Sequence, residues 1–82
     1  MAKIDVRKIK KIAKDRNTIQ DEVSATYTVF EKLGQKYFQI DTYGRSDRIE
    51  TEKASQIIQI DEISAKELIK LLIKEFGFYN QN

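Results

Sequence analysis

The chain has 82 residues, fifteen Lys and Arg against thirteen Asp and Glu, a formal net charge of +2, and neither histidine nor cysteine. That length makes one small domain with a modest core, and the two missing residue types exclude disulfides, thiolate chemistry, the commonest zinc ligands and any Ser–His or Cys–His nucleophile pair. No long apolar run predicts a membrane span and no apolar stretch follows the first lysines as a secretory signal requires, so the expectation is a cytoplasmic protein, 1–82 as a single domain.

The charge is unevenly placed. Residues 1–16 carry Lys3, Arg7, Lys8, Lys10, Lys11, Lys14 and Arg16 against Asp5 and Asp15 alone. Asp5 is suited to cap a helix, with Ile4 stapled onto Ile9, and a helix over Val6–Arg16 gathers Val6, Ile9, Ile12 and Ala13 on one side. Arg7, Lys8, Lys10, Lys11 and Lys14 then form a basic ridge on the other. Residues 1–22 are thus read as a basic helix and its connection.

Residues 23–61 read as a three-stranded sheet. Strands are expected over Val23–Glu31 and Lys36–Tyr43, where β-branched and aromatic residues dominate, joined by a tight turn at Leu33–Gly34. That turn opposes Phe30 to Tyr37, Val29 to Phe38, Thr28 to Gln39, Tyr27 to Ile40 and Ala25 to Thr42. One face then carries Ala25, Tyr27, Val29, Phe38 and Ile40 as core, and the other Thr26, Thr28, Phe30, Tyr37, Gln39, Asp41 and Tyr43. Arg45–Lys53 is a mixed-charge hairpin loop, and a third strand over Ser55–Asp61 turns Ile58 and Ile60 inward.

The last element, within 62–78, is a helix over Ala65–Phe76. Ser64 and Glu67 form a capping box, Ile63 and Leu68 a staple, and Gly77 the left-handed terminus, with Phe78 folding back on Ile73. Tyr79–Asn82 reads as a tail. The expected fold class is therefore α+β, in the order α-β-β-β-α, with a three-stranded antiparallel sheet and both helices on one face.

An enzyme built from this chain would depend on carboxylates, Lys or Tyr. Asp41, Asp47, Glu50 and Glu52 match no calcium or magnesium loop, and the three glycines serve as turns or caps rather than a phosphate cradle. The expectation is a non-enzyme with no cofactor and no metal. Binding is the stronger reading: a basic ridge neutralises phosphates without selecting sequence. Exposed lysines also serve solvation, but five basic residues on one helix face exceed what solubility requires. Phe30, Tyr37 and Tyr43 can stack unpaired bases, and are equally suited to a homodimer seam. The seam is favoured for that face, because a bare sheet face rich in apolar atoms seldom stays exposed.

The stretch KYFQIDTYGRSDR over 36–48, followed by SQIIQID over 55–61 and a leucine-rich helix, resembles a group of short bacterial and phage-borne proteins of unassigned role, some labelled methionyl-tRNA formyltransferase. The resemblance runs from RNTIQ at 16–20 onward. The label implies a folate enzyme with an Asn-His-Asp site, and a chain without histidine cannot inherit that activity. The order of an Ile-Asp strand, a charged hairpin and a strand before a capped helix is more loosely similar to the coactivator positive cofactor four and its single-strand DNA-binding relatives. That resemblance implies a dimer gripping unpaired DNA, with Tyr37, Tyr43, Arg45, Arg48 and Lys53 at the matching positions; this chain has one fewer expected strand and an added leading helix. The order also resembles the double-stranded RNA-binding domain, but Asp61 and Glu62 stand where that family needs lysines.

Taken together, these features lead to the expectation of a non-catalytic nucleic-acid-binding module, single-stranded DNA or RNA favoured. Arg7, Lys10, Lys11 and Lys14 are the expected phosphate contacts, Arg45 and Arg48 extend them, and Tyr37 and Tyr43 stack. The alternative is a protein-interaction or assembly domain, a homodimeric small subunit or phage-defence-related factor, whose basic helix meets an acidic partner.

Overall fold

A computed structural model describes residues 1–44 and 54–78. Its elements are strands β1 (Ala2–Lys3), β2 (Ala25–Lys32), β3 (Gln35–Thr42) and β4 (Gln56–Asp61), followed by helix α1 (Glu62–Phe76). The strands form one mixed sheet in the order β1-β4-β3-β2, with β1 parallel to β4 and the other pairs antiparallel. The fold is a small α+β domain, and no helix among the described residues is long and apolar enough to cross a membrane.

Two expectations are corrected. The sheet has four strands and is mixed, not three and antiparallel, and among the described residues there is one α-helix, not two. Where a basic helix was expected over Val6–Arg16, only a single 3-10 turn forms at Val6–Lys8, and the chain from Ile9 to Ser24 adopts neither helix nor strand. Asp5 does cap that turn, accepting from the Arg7 N–H at 3.0 Å. Beyond it, a short isolated helix is marginal unless its apolar stripe is buried, and like charges three and four residues apart oppose it. Ile12, in the middle of the expected stripe, is 65 % exposed. The segment before the turn is committed elsewhere: Ala2 and Lys3 pair with Ile58 and Gln59, and the Ile4 N–H donates to the Gln59 carbonyl at 2.8 Å.

The hairpin follows its expected register, Phe30 opposite Tyr37 and Tyr27 opposite Ile40, and it continues to Lys32 opposite Gln35. Leu33 and Gly34 both have positive φ, 54° and 77°, the backbone that a two-residue turn needs to match the twist of its strands. The third expected strand is β4, with Ile58 and Ile60 opposite Ile40 and Phe38 on the helix side.

Helix α1 begins three residues before its expected start. Asp61, not Ser64, is its N-cap, accepting from the Ser64 N–H at 2.9 Å, and Glu62 suits the positive end of the helix dipole. Ser64 is instead drawn inward: it is 1 % exposed, and its Oγ accepts from the Val6 N–H at 3.0 Å. One hydroxyl thus ties the N-terminal turn to α1. Gly77 takes the left-handed conformation, both it and Phe78 donate to the Ile73 carbonyl, and the Phe78 ring stacks on Phe76.

Helix α1 lies over β3, β4 and the 3-10 turn. Ile4, Val6, Phe38, Ile58, Ile60 and Leu68 meet there around an apolar space of about 100 Å³. This core is thin. Among the described apolar side chains only Val6 and Tyr43 are buried.

Candidate nucleic-acid interface

The face of the sheet turned away from α1 is set by strand alternation. It carries Thr26, Thr28, Phe30 and Lys32 from β2, Gln35, Tyr37, Gln39 and Asp41 from β3, Ile57, Gln59 and Asp61 from β4, and Lys3 from β1. Phe30 and Tyr37, opposite each other in the ladder, stack with ring centroids 5.4 Å apart and planes 27° apart. The Lys3 ammonium stands 5.7 Å from the Tyr37 ring centroid, within cation–π range. A shallow depression of about 370 Å³ is lined by Lys3, Phe30, Lys32, Leu33, Tyr37 and Gln59. A second, bordered by Met1, Ala2 and Ile57, shares Lys3 and Gln59 with it, so the two run on as a trough.

The centre of the face is held by side-chain amides. Gln59 Nε2 donates to Gln39 Oε1, and Gln39 Nε2 donates to Asp41 Oδ1, each at 2.7 Å. Each amide keeps a second N–H for another acceptor. At the rim, Lys3 Nζ lies 4.0 Å from Asp61 Oδ2. The Ser64 main-chain N–H holds the Asp61 carboxyl below its ordinary pKa against the cost of lost hydration, with the Ser64 hydroxyl, Lys3 and Arg7 adding to the effect.

Among the described residues, the structure does not bring the expected site residues together. Tyr37 lies at the centre of this face. Tyr43 is on the same side but buried, its hydroxyl hydrogen-bonded to Thr26 Oγ1 at 3.1 Å, so its ring offers little surface for stacking. Arg7 is turned onto Asp5, with Nε 3.0 Å from Oδ1, a contact that lowers the Asp5 pKa and raises that of Arg7. Lys11 pairs with Glu75 of α1 at 3.2 Å. Lys10 and Lys11 border a depression shared with Leu71 and Glu75, which places them beside α1 rather than on the aromatic face. Lys14 is exposed on the irregular segment, where its carbonyl accepts from Asn17. Arg45, Arg48 and the whole expected loop through Lys53 lie outside the described residues, as does the Tyr79–Asn82 tail.

Among the described residues, the cations beside the aromatic pair are Lys3 and Lys32, which sequence reasoning did not select. Lys32 could have been found by extending the hairpin register two residues beyond Phe30. Lys3 gave no such signal, because a two-residue strand has no periodicity to read. Among the described residues, no group of three or more acidic side chains is placed to hold a metal ion. No family model, curated protein or solved structure matches this chain.

Proposed function

We propose that this chain is a non-catalytic nucleic-acid-binding module that lays an unpaired strand across the open face of its sheet. The observation that carries the reading is the Phe30–Tyr37 stack with the Lys3 ammonium above Tyr37 and Lys32 beside it. Bases offer their π-faces to such a platform only when unpaired, and every base has one, so the surface suits single strands with little sequence preference. Lys3 and Lys32 flank the rings as phosphate contacts, and the remaining N–H groups of Gln39 and Gln59 face base edges. The basic segment from Arg7 to Arg16 adds a diffuse positive field rather than a docking ridge.

The test is a fluorescence anisotropy titration with labelled single-stranded and duplex oligonucleotides at two salt concentrations. Single strands bind more tightly than duplex, and raising the salt weakens them. Tyr37→Ala lowers affinity roughly 5- to 150-fold, since stacking one base contributes about 1–3 kcal/mol. Replacing Lys3 and Lys32 by Gln each takes about 0.7 from the slope of log K against log salt. Equal binding of duplex, or a Tyr37→Ala titration that overlays the wild type, overturns the reading.

A further inference from the structure

The opposite, helix-bearing face is incomplete. Helix α1 rests on β3, β4 and the 3-10 turn, and the β2 side of the sheet extends past it. Tyr27 and Val29 of β2 and Ile69, Leu72 and Phe76 of α1 are between 41 and 69 % exposed. Tyr27 stacks on Phe38 at 5.1 Å, so a continuous apolar sheet surface reaches outward from the core. Ile69, Leu72 and Phe76, spaced at four, three and four residues from Ala65, form a second stripe beside the one that meets the sheet. Among the described residues the sheet flank therefore lacks a helix, and the helix stripe lacks a sheet.

We infer that a second copy of this chain covers that face, with the Ile69–Leu72–Phe76 stripe of each copy seated on Tyr27 and Val29 of the other. The two unpartnered surfaces have the chemistry of each other, and a two-fold axis satisfies both at once, because residue i meets j and j meets i. The area suffices: the five residues leave roughly 550 Å² exposed per copy, about 1,100 Å² for the pair, which clears the roughly 1,000 Å² a biological interface needs before any polar rim is added. This surface lies across the sheet from Tyr37, so the inference stands apart from the strand-binding reading.

Sedimentation velocity from micromolar to several hundred micromolar chain tests it. The mass rises from 9.6 kDa toward twice that value with concentration. Val29→Glu and Ile69→Lys each hold the chain at monomer mass with its circular dichroism preserved, and mixing the two restores a dimer, because one of the two symmetry-related contacts becomes an ion pair and the other stays wild-type. Tyr37→Ala leaves the mass unchanged. The chain has no cysteine of its own. A mixture of Val29→Cys and Ile69→Cys proteins therefore cross-links cleanly through a short bismaleimide, which keeps the test valid should the charged variants unfold. A chain that stays monomeric at the highest concentration overturns the inference, whether or not it takes up another polypeptide. So does a dimer that survives both charged substitutions, is lost in Tyr37→Ala, or fails to cross-link.

Discussion

Replacing Ser64 by Ala isolates the contact that joins the N-terminal turn to α1. Ser64 Oγ accepts from the Val6 N–H at 3.0 Å, and both residues are buried, at 1 % and 4 % exposure. Alanine removes the acceptor while leaving the donor out of reach of water, and an unsatisfied buried amide costs about 1–3 kcal/mol. In a domain of this size, with a urea m-value of about 1 kcal/mol/M, the unfolding midpoint falls by roughly 1–3 M. The helix itself should persist, because the Asp61 cap bonds to the main-chain N–H of residue 64, which the substitution keeps. Hydrogen exchange gives the site-specific check: the Val6 amide loses its protection in Ser64→Ala while amides in the middle of β3 lose only what global destabilisation demands. A midpoint within about 0.5 M of wild type, together with an unchanged Val6 exchange rate, would show that the hydroxyl is not what fastens β1 and the turn to the helix.

Two further substitutions probe local chemistry. The Asp5 and Asp61 carboxyls both titrate below their ordinary value in the folded state, so their contribution to stability is present above the unfolded pKa of about 3.9 and is lost as pH falls through the folded values. Melting temperature should therefore fall as the pH drops below about 4, and Asp61→Asn should flatten that acid limb; parallel curves for the two proteins from neutral to strongly acidic pH contradict the assignment. Leu33 occupies a left-handed position that only Gly, Asn and Asp adopt readily, and its side chain is 94 % exposed, so little packing is lost on replacement. Leu33→Asn is expected to raise unfolding free energy by about 0.5–1 kcal/mol in urea titration, and a loss of stability would mean that the leucine makes contacts its exposure does not suggest.

The hairpin was legible because two independent signals agreed. Strand alternation placed Tyr27, Val29, Phe38 and Ile40 on one side, and Gly34 set the turn that brings Phe30 opposite Tyr37. The final helix was legible in existence but not in start, since Asp61 and Ser64 are both good capping residues three positions apart, and the buried demand of the Val6 amide drew Ser64 away. The first helix failed for a different reason. Its amphipathic spacing was real, yet periodicity reports what a helix would present, not whether anything exists to cover it, and Ile9 and Ile12 are at least half exposed. Half of the aromatic face followed from the hairpin register. The cation Lys3 depended on a parallel pairing with β4, a contact between residues 3 and 59 that no local pattern encodes.

The irregular run from Ile9 to Ser24 leads from β1 at one edge of the sheet to β2 at the other. That crossing covers three strand spacings, roughly 15 Å, while a chain of this length drawn out straight reaches about 50 Å. The tether is therefore slack. Residues can be inserted there, a tag threaded in, or the link nicked, and the β2–β3–β4–α1 unit, whose neighbours in space are also neighbours in sequence, keeps every ladder bond it has.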